Sequence, residues 1–283
     1  MRLPFRRLLL VLLCAAALRA RADDGESLPE STLKQIAQRQ QALLADAAKQ
    51  GENLDAESLK AQLQEICHEY DLLLQGSPNF APGYVAYGDL LWKVDMRKEA
   101  VGLFLKANSI EPDIPLVKNE IGNYLAEEGK PLEAVNYFLA AIKLEPSEPL
   151  YHYELGKLLR DARADFLSSG DWTRDSIDGG MTEAFRRAAE LAPDDFRYNW
   201  EYADSFGVLP NPDWDKALKL WAVVEDKAPG PEERQAARLK AADILIKQGK
   251  RDQARLLIDT VTEPQLQAQK QKLVAQLAEN AKK

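Results

Sequence analysis

Two cysteines and two histidines in 283 residues leave little material for disulfide, zinc or imidazole chemistry. No apolar run approaches the roughly 20 residues that a membrane-spanning helix needs; the longest, 8–18, has 11. Basic residues are in the minority, 37 Lys plus Arg against 45 Asp plus Glu for a net charge of −8. That balance argues against a dedicated nucleic-acid binder, which has to neutralise phosphates. Also missing are a glycine-rich phosphate loop, a nucleophile–base motif and clustered metal ligands, so neither an enzyme nor a cofactor is expected. What remains is 46% hydrophobic and 29% charged, the proportions of a folded globular chain.

The N-terminus differs from the rest. Arg2, Arg6 and Arg7 precede the apolar run, and Ala20-Arg21-Ala22 follows it. A positive start, a short apolar stretch and small residues at A-x-A spacing read as a secretory signal, cut between Ala22 and Asp23. A lipoprotein anchor at Cys14 is disfavoured, because Leu13 stands where a small residue belongs. Removing 1–22 takes five arginines and no acids, leaving a net charge of −13 and one cysteine, Cys67. A lone thiol beside Ile66 and Tyr70 reads as packing. The expected location is secreted, in the periplasm, without stable membrane insertion after cleavage.

The body of the chain is periodic. Pro112 and Pro146 lie 34 residues apart, and Gly88, Gly122 and Gly156 recur at the same interval. Ala100 and Ala134 follow the first two glycines by twelve; Phe104 and Phe138 come four later, and Ala107 and Ala141 three beyond. A third copy closes with Phe185, Ala188 and Pro193, a fourth carries Tyr202-Ala203, Ala217, Trp221 and Pro229, and a fifth Ala242, Ala254 and Ile258. Each copy reads as two helices with apolar residues every three or four positions. Glycine inside a helix costs about 1 kcal/mol relative to alanine, so the periodic glycines mark places where helices approach closely.

This pattern resembles the tetratricopeptide-repeat family. The resemblance implies an all-α fold: a right-handed α-solenoid of helix-turn-helix repeats with a C-terminal capping helix. The expected organisation is a signal peptide at 1–22, an N-terminal helical segment at 23–54, an array at 55–263 and the capping helix at 264–283. Within the array a degenerate copy is expected at 55–78, and full copies at 81–114, 115–148, 149–195, 196–231 and 235–263. The third copy is 13 residues longer than the period. Its excess is expected at 168–180, where turn residues accumulate around Trp172 and Gly179-Gly180.

The resemblance also implies that the first helix of each copy lines a concave face and holds a protein or peptide partner. Carried over by place in the repeat, that face takes Val85, Asp89 and Trp92 from the first copy and Asn119, Glu120, Asn123 and Glu127 from the second. The third supplies Tyr153, Glu154, Lys157 and Arg160, the fourth Arg197, Trp200, Glu201 and Asp204. Tyr, Trp and Arg are the types enriched in binding hot spots. The carboxylate-clamping members of the family use Lys, Asn, Lys and Arg from successive first helices; Val85 and Asp89 depart from that pattern. His68 and Cys67 are adjacent on a helix and point about 100° apart, so they do not converge on one atom. Asp171, Asp175 and Asp178 lack the alternating spacing of a calcium loop. The expected function is a non-enzymatic interaction scaffold of the cell envelope. The alternative is a fixed structural subunit of an envelope complex that docks through its ends, its convex face or the inserted loop.

Overall fold

The computed structural model describes residues 27–51 and 55–279. The signal segment and its cleavage position between Ala22 and Asp23 lie outside the described residues. Among the described residues every element is an α-helix or a short 3-10 turn. The chain divides into two compact units, residues 1–117 and 118–283.

The first unit contains α1 (Leu28–Gln50), α2 (Ala56–Gly76), α3 (Ala81–Lys93) and α4 (Arg97–Ile110). Ser27 and Glu30 form a capping box that starts α1, satisfying amide groups that a helix start otherwise leaves unpaired. Ile36 of α1 packs with Ile66, Tyr70 and Leu73 of α2, and the Tyr70 hydroxyl donates to Oε1 of Gln40 at 2.8 Å. Helix α1 therefore packs as the partner of α2, the helix of the degenerate copy expected at 55–78. Sequence spacing hid this because α1, at 23 residues, is longer than a repeat's first helix.

The second unit opens on α5 (Pro115–Glu127), which begins just before its boundary, and continues with α6 (Pro131–Leu144) and α7 (Pro149–Asp161). Next come α8 (Arg163–Ser169), α9 (Arg174–Leu191), α10 (Phe196–Ser205) and α11 (Trp214–Asp226). Helices α12 (Pro231–Lys247), α13 (Arg251–Asp259) and α14 (Gln267–Glu279) complete it. Helix α12, the first of the fifth copy, starts at Pro231, which is preset for a first helical turn. Leu273 of α14 is buried against α12 and α13, with Leu266 and Leu277 beside it, closing the apolar end of the last copy.

The small–aromatic–small beat of the sequence is the core of each second helix. Ala100, Phe104 and Ala107, Ala134, Phe138 and Ala141, and Ala217, Trp221 and Val224 are all at most 2% exposed. In the third copy Met181, Phe185 and Ala188 play this part on α9. Each buried ring contributes about 1.5–3 kcal/mol over exposure. A Cβ added at Gly88 would stand 2.7 Å from Cε1 of Phe104, at Gly122 3.0 Å from that of Phe138, and at Gly156 2.7 Å from that of Phe185. The periodic glycines are the seats of the periodic phenylalanines.

The excess of the third copy is mostly helix, not loop. Only residues 170–173 interrupt it; α8 and the first turns of α9 carry the rest. Ile177 and Met181 form a buried stripe four residues apart, which the neighbouring Gly179-Gly180 pair masks in the sequence. Asp178 is buried and paired with Arg163, and Trp172 packs edge-on against Phe166 with ring centroids 4.9 Å apart.

Candidate peptide-binding face

Helices α7, α10 and α12 are the first helices of three successive copies, and all belong to the second unit. Residues three and four apart share a helix face. One such face of α7 carries Tyr153, Lys157 and Arg160, and one face of α10 carries Arg197, Trp200, Glu201 and Asp204. Their starts are fixed by capping: Glu148 accepts from the Leu150 amide at 3.1 Å, and Asp195 from those of Arg197 and Tyr198. A tie six residues after three of the repeat prolines holds the start of the helix that follows. Tyr84 donates to the carbonyl of Pro78, the His152 ring bonds that of Pro146 at 2.9 Å, and Asn199 donates to that of Pro193 at 2.9 Å.

These faces enclose an open cleft of about 260 Å³ lined by Tyr153, Phe196, Arg197, Trp200, Glu201 and Glu233. Phe196 and Trp200 lie 5.6 Å apart, and Trp200 meets Trp221 edge-on at 4.9 Å. Tyr153 is wedged between Phe185 and Tyr198, at 6.2 and 5.1 Å. Burial pushes the Tyr153 phenol above its ordinary range and that of Tyr198 up to about 12. The cleft is therefore walled by neutral rings tilted against their neighbours.

Charges on this face are paired across helices. Arg160 of α7 bridges to Glu201 of α10, and Lys240 of α12 reaches Asp204 of α10 at 2.5 Å. Within α7, Lys157 pairs with Glu154 at 2.9 Å, and at the start of α10 Arg197 pairs with Asp195 at 3.2 Å. Burial raises the Glu201 carboxyl, while the Arg160 charge pulls it back. The cleft lining holds no cysteine or histidine. Among the described residues no group of three or more His, Cys, Asp or Glu side chains is placed to hold a metal ion. No described helix is long and apolar enough to cross a membrane.

Against the residues expected from the sequence, the structure brings together Tyr153, Lys157, Arg160, Arg197, Trp200, Glu201 and Asp204 on one face. Four others are buried. Val85 and Asn119 occupy the place of Tyr153 in their own copies and are buried; the longer Tyr153, and Trp200 at that place in the fourth copy, reach the surface. Trp92 is 7% exposed because it turns onto Phe104 of its own hairpin, 6.3 Å away, under the Arg97 guanidinium. Glu154 is buried beneath Lys157. Asp89, Glu120 and Asn123 are half-buried and Glu127 is exposed; Asp89 is engaged by Lys93 on its own helix and Glu120 by the Asn119 amide. The sequence reading missed Glu233 and Lys240 because it ended the face at the fourth copy. Counting 36 residues on from Arg197 and Asp204, the interval that separates Pro193 from Pro229, reaches both.

Residues 117–148 match the tetratricopeptide-repeat family. None of the curated protein sequences matches the chain. Among solved structures the chain is similar to YrrB, described as a TPR protein with an unusual peptide-binding site. The TM-score is 0.57 at 18% identity, over 75% of this chain and 97% of that one. It is similar to PilF of Pseudomonas aeruginosa, with a TM-score of 0.56 at 16% identity over 85% and 99% of the two chains. PilW, a type IV pilus biogenesis factor, gives 0.55 at 14% identity over 84% and 98%. At these identities the likeness speaks to the fold.

Proposed function

This chain is a tetratricopeptide-repeat protein, and from that premise we propose that it is a non-enzymatic protein–protein interaction scaffold of the cell envelope. It holds a peptide segment of its partner against the α7, α10 and α12 face. The observation that carries this reading is the open aromatic cleft formed by Tyr153, Phe196 and Trp200 with Arg197 at its rim. Drug-sized ligands occupy pockets of about 300–1,000 Å³ that enclose most of their surface. A cleft of about 260 Å³ that is open to solvent suits one side chain of an extended segment instead. That YrrB is described as binding peptide on the same fold supports the choice of occupant. The envelope address rests on the leader at 1–22 and is supported by its A-x-A boundary.

The test is capture from an envelope extract by wild type and by Arg197→Ala and Trp200→Ala. Arg197 is half exposed, so its loss leaves the helical circular-dichroism spectrum unchanged. Capture of a partner by wild type and its loss in both variants supports the reading, whereas equal capture by all three rules out this face. For the address, an intact mass that begins at Asp23 is the expected result, and one retaining residues 1–22 contradicts cleavage.

A further inference from the structure

Four cations of α7, α10 and α12 each contact both an aromatic ring and a carboxylate. Arg160 lies 5.6 Å from the Phe185 centroid and pairs with Glu201. Lys157 lies 5.4 Å from Tyr153 and pairs with Glu154. Arg197 lies 5.4 Å from Tyr198 and pairs with Asp195, and Lys240 lies 5.9 Å from Trp200 and pairs with Asp204. A ring face attracts a cation through its quadrupole, and the carboxylate neutralises its charge.

One member of the pattern is incomplete. Glu233 stands on the first turn of α12 and lines the cleft together with Phe196 and Trp200. It makes no hydrogen bond or ion pair with any described residue. It is the third residue of α12, at the positive end of the helix dipole, which supplies no counter-ion. The other two charges of the lining, Arg197 and Glu201, are neutralised by Asp195 and Arg160, so the cleft carries one uncompensated negative charge.

We propose that the missing cation comes from the partner: the cleft receives an arginine or lysine side chain of the bound peptide, laid against Phe196 and Trp200 and paired with Glu233. Arginine fits better than lysine, because a planar guanidinium stacks on a ring while forking to a carboxylate. This rests on the proposed function of the same face and adds to it the partner's chemistry.

A random-peptide phage library panned on the full chain tests both, with Trp200→Ala and Glu233→Gln as parallel baits and their helical spectra as fold controls. The expected result is a set of peptides sharing a basic residue, lost on Trp200→Ala and about tenfold weaker on Glu233→Gln, the size of a charge-assisted bond. Glu233→Lys shifts the enrichment toward acidic peptides. Enrichment of neutral or acidic peptides by wild type, sensitive to Trp200 and not to Glu233, overturns this inference and leaves the binding face standing. Absence of any Trp200-sensitive enrichment overturns both.

Discussion

At Gly156 a methyl group would sit 2.7 to 3.0 Å from three atoms of the Phe185 ring. The ring is fully buried and has nowhere to retreat. Overpacking of this kind costs about 1–3 kcal/mol, more than the 0.5–1 kcal/mol that alanine gains over glycine in a helix. Gly156→Ala is therefore expected to lower stability by about 1 kcal/mol in urea unfolding. At Gly102, also helical, an added Cβ meets nothing within 4 Å, so Gly102→Ala should raise stability by about 0.5–1 kcal/mol. Equal effects at the two sites would mean that these glycines are not packing seats. A second contrast concerns backbone sign. Gly129 and Gly249 close their hairpins at φ of 72° and 74°, and the first copy puts Asp95 there at 67°. Asp95→Gly should raise the thermal midpoint by relieving about 1 kcal/mol of left-handed strain; its exposed contact with Arg97 contributes little.

Between elements, the proline-plus-six tie is one device built from three side chains. Asn199 donates to the carbonyls of both Pro193 and Asp195 and is buried. Asn199→Ala leaves those carbonyls short of a donor, at about 1–3 kcal/mol. Since asparagine serves in the fourth copy, His152→Asn should be tolerated, whereas His152→Leu should cost about 1–2 kcal/mol. Glu148, which starts α7, has its carboxyl raised by burial above the ordinary 4.5. A raised carboxyl binds its proton more tightly in the folded state, so its contribution is favourable at acid pH. That contribution is lost as pH rises from the unfolded value through the folded one. Glu148→Gln should flatten the stability profile across that window, read by thermal midpoints from pH about 4 to 6. The hairpins were legible in the sequence because glycine, aromatic and proline return at fixed intervals. The third copy was legible only in length: Gly179 and Gly180 sit within α9 and imitate a loop, while Ile177, Met181 and the Arg163–Asp178 pair hold that stretch in helix.

For the molecule as a whole, family place predicted which helices could form a binding face but not which side chains reach it. Val85, Trp92, Asn119 and Glu154 sit at face positions and are buried, because reach depends on side-chain length and on the neighbouring helix. Tyr153 and Trp200 emerge for the same reason read in reverse: rings too large for the space beneath them remain partly at the surface. Glu233 lay beyond the stretch first assigned to the face, although the fourth-copy interval of 36 residues reaches it from Arg197. The central claim is that α7, α10 and α12 hold an extended segment of a partner. Hydrogen exchange on the full chain, with and without a library-selected peptide, tests it most directly. New protection should gather on Pro149–Asp161, Phe196–Ser205 and the first turns of Pro231–Lys247. Protection confined to Arg174–Leu191 and Trp214–Asp226, the second helices of those copies, would contradict it.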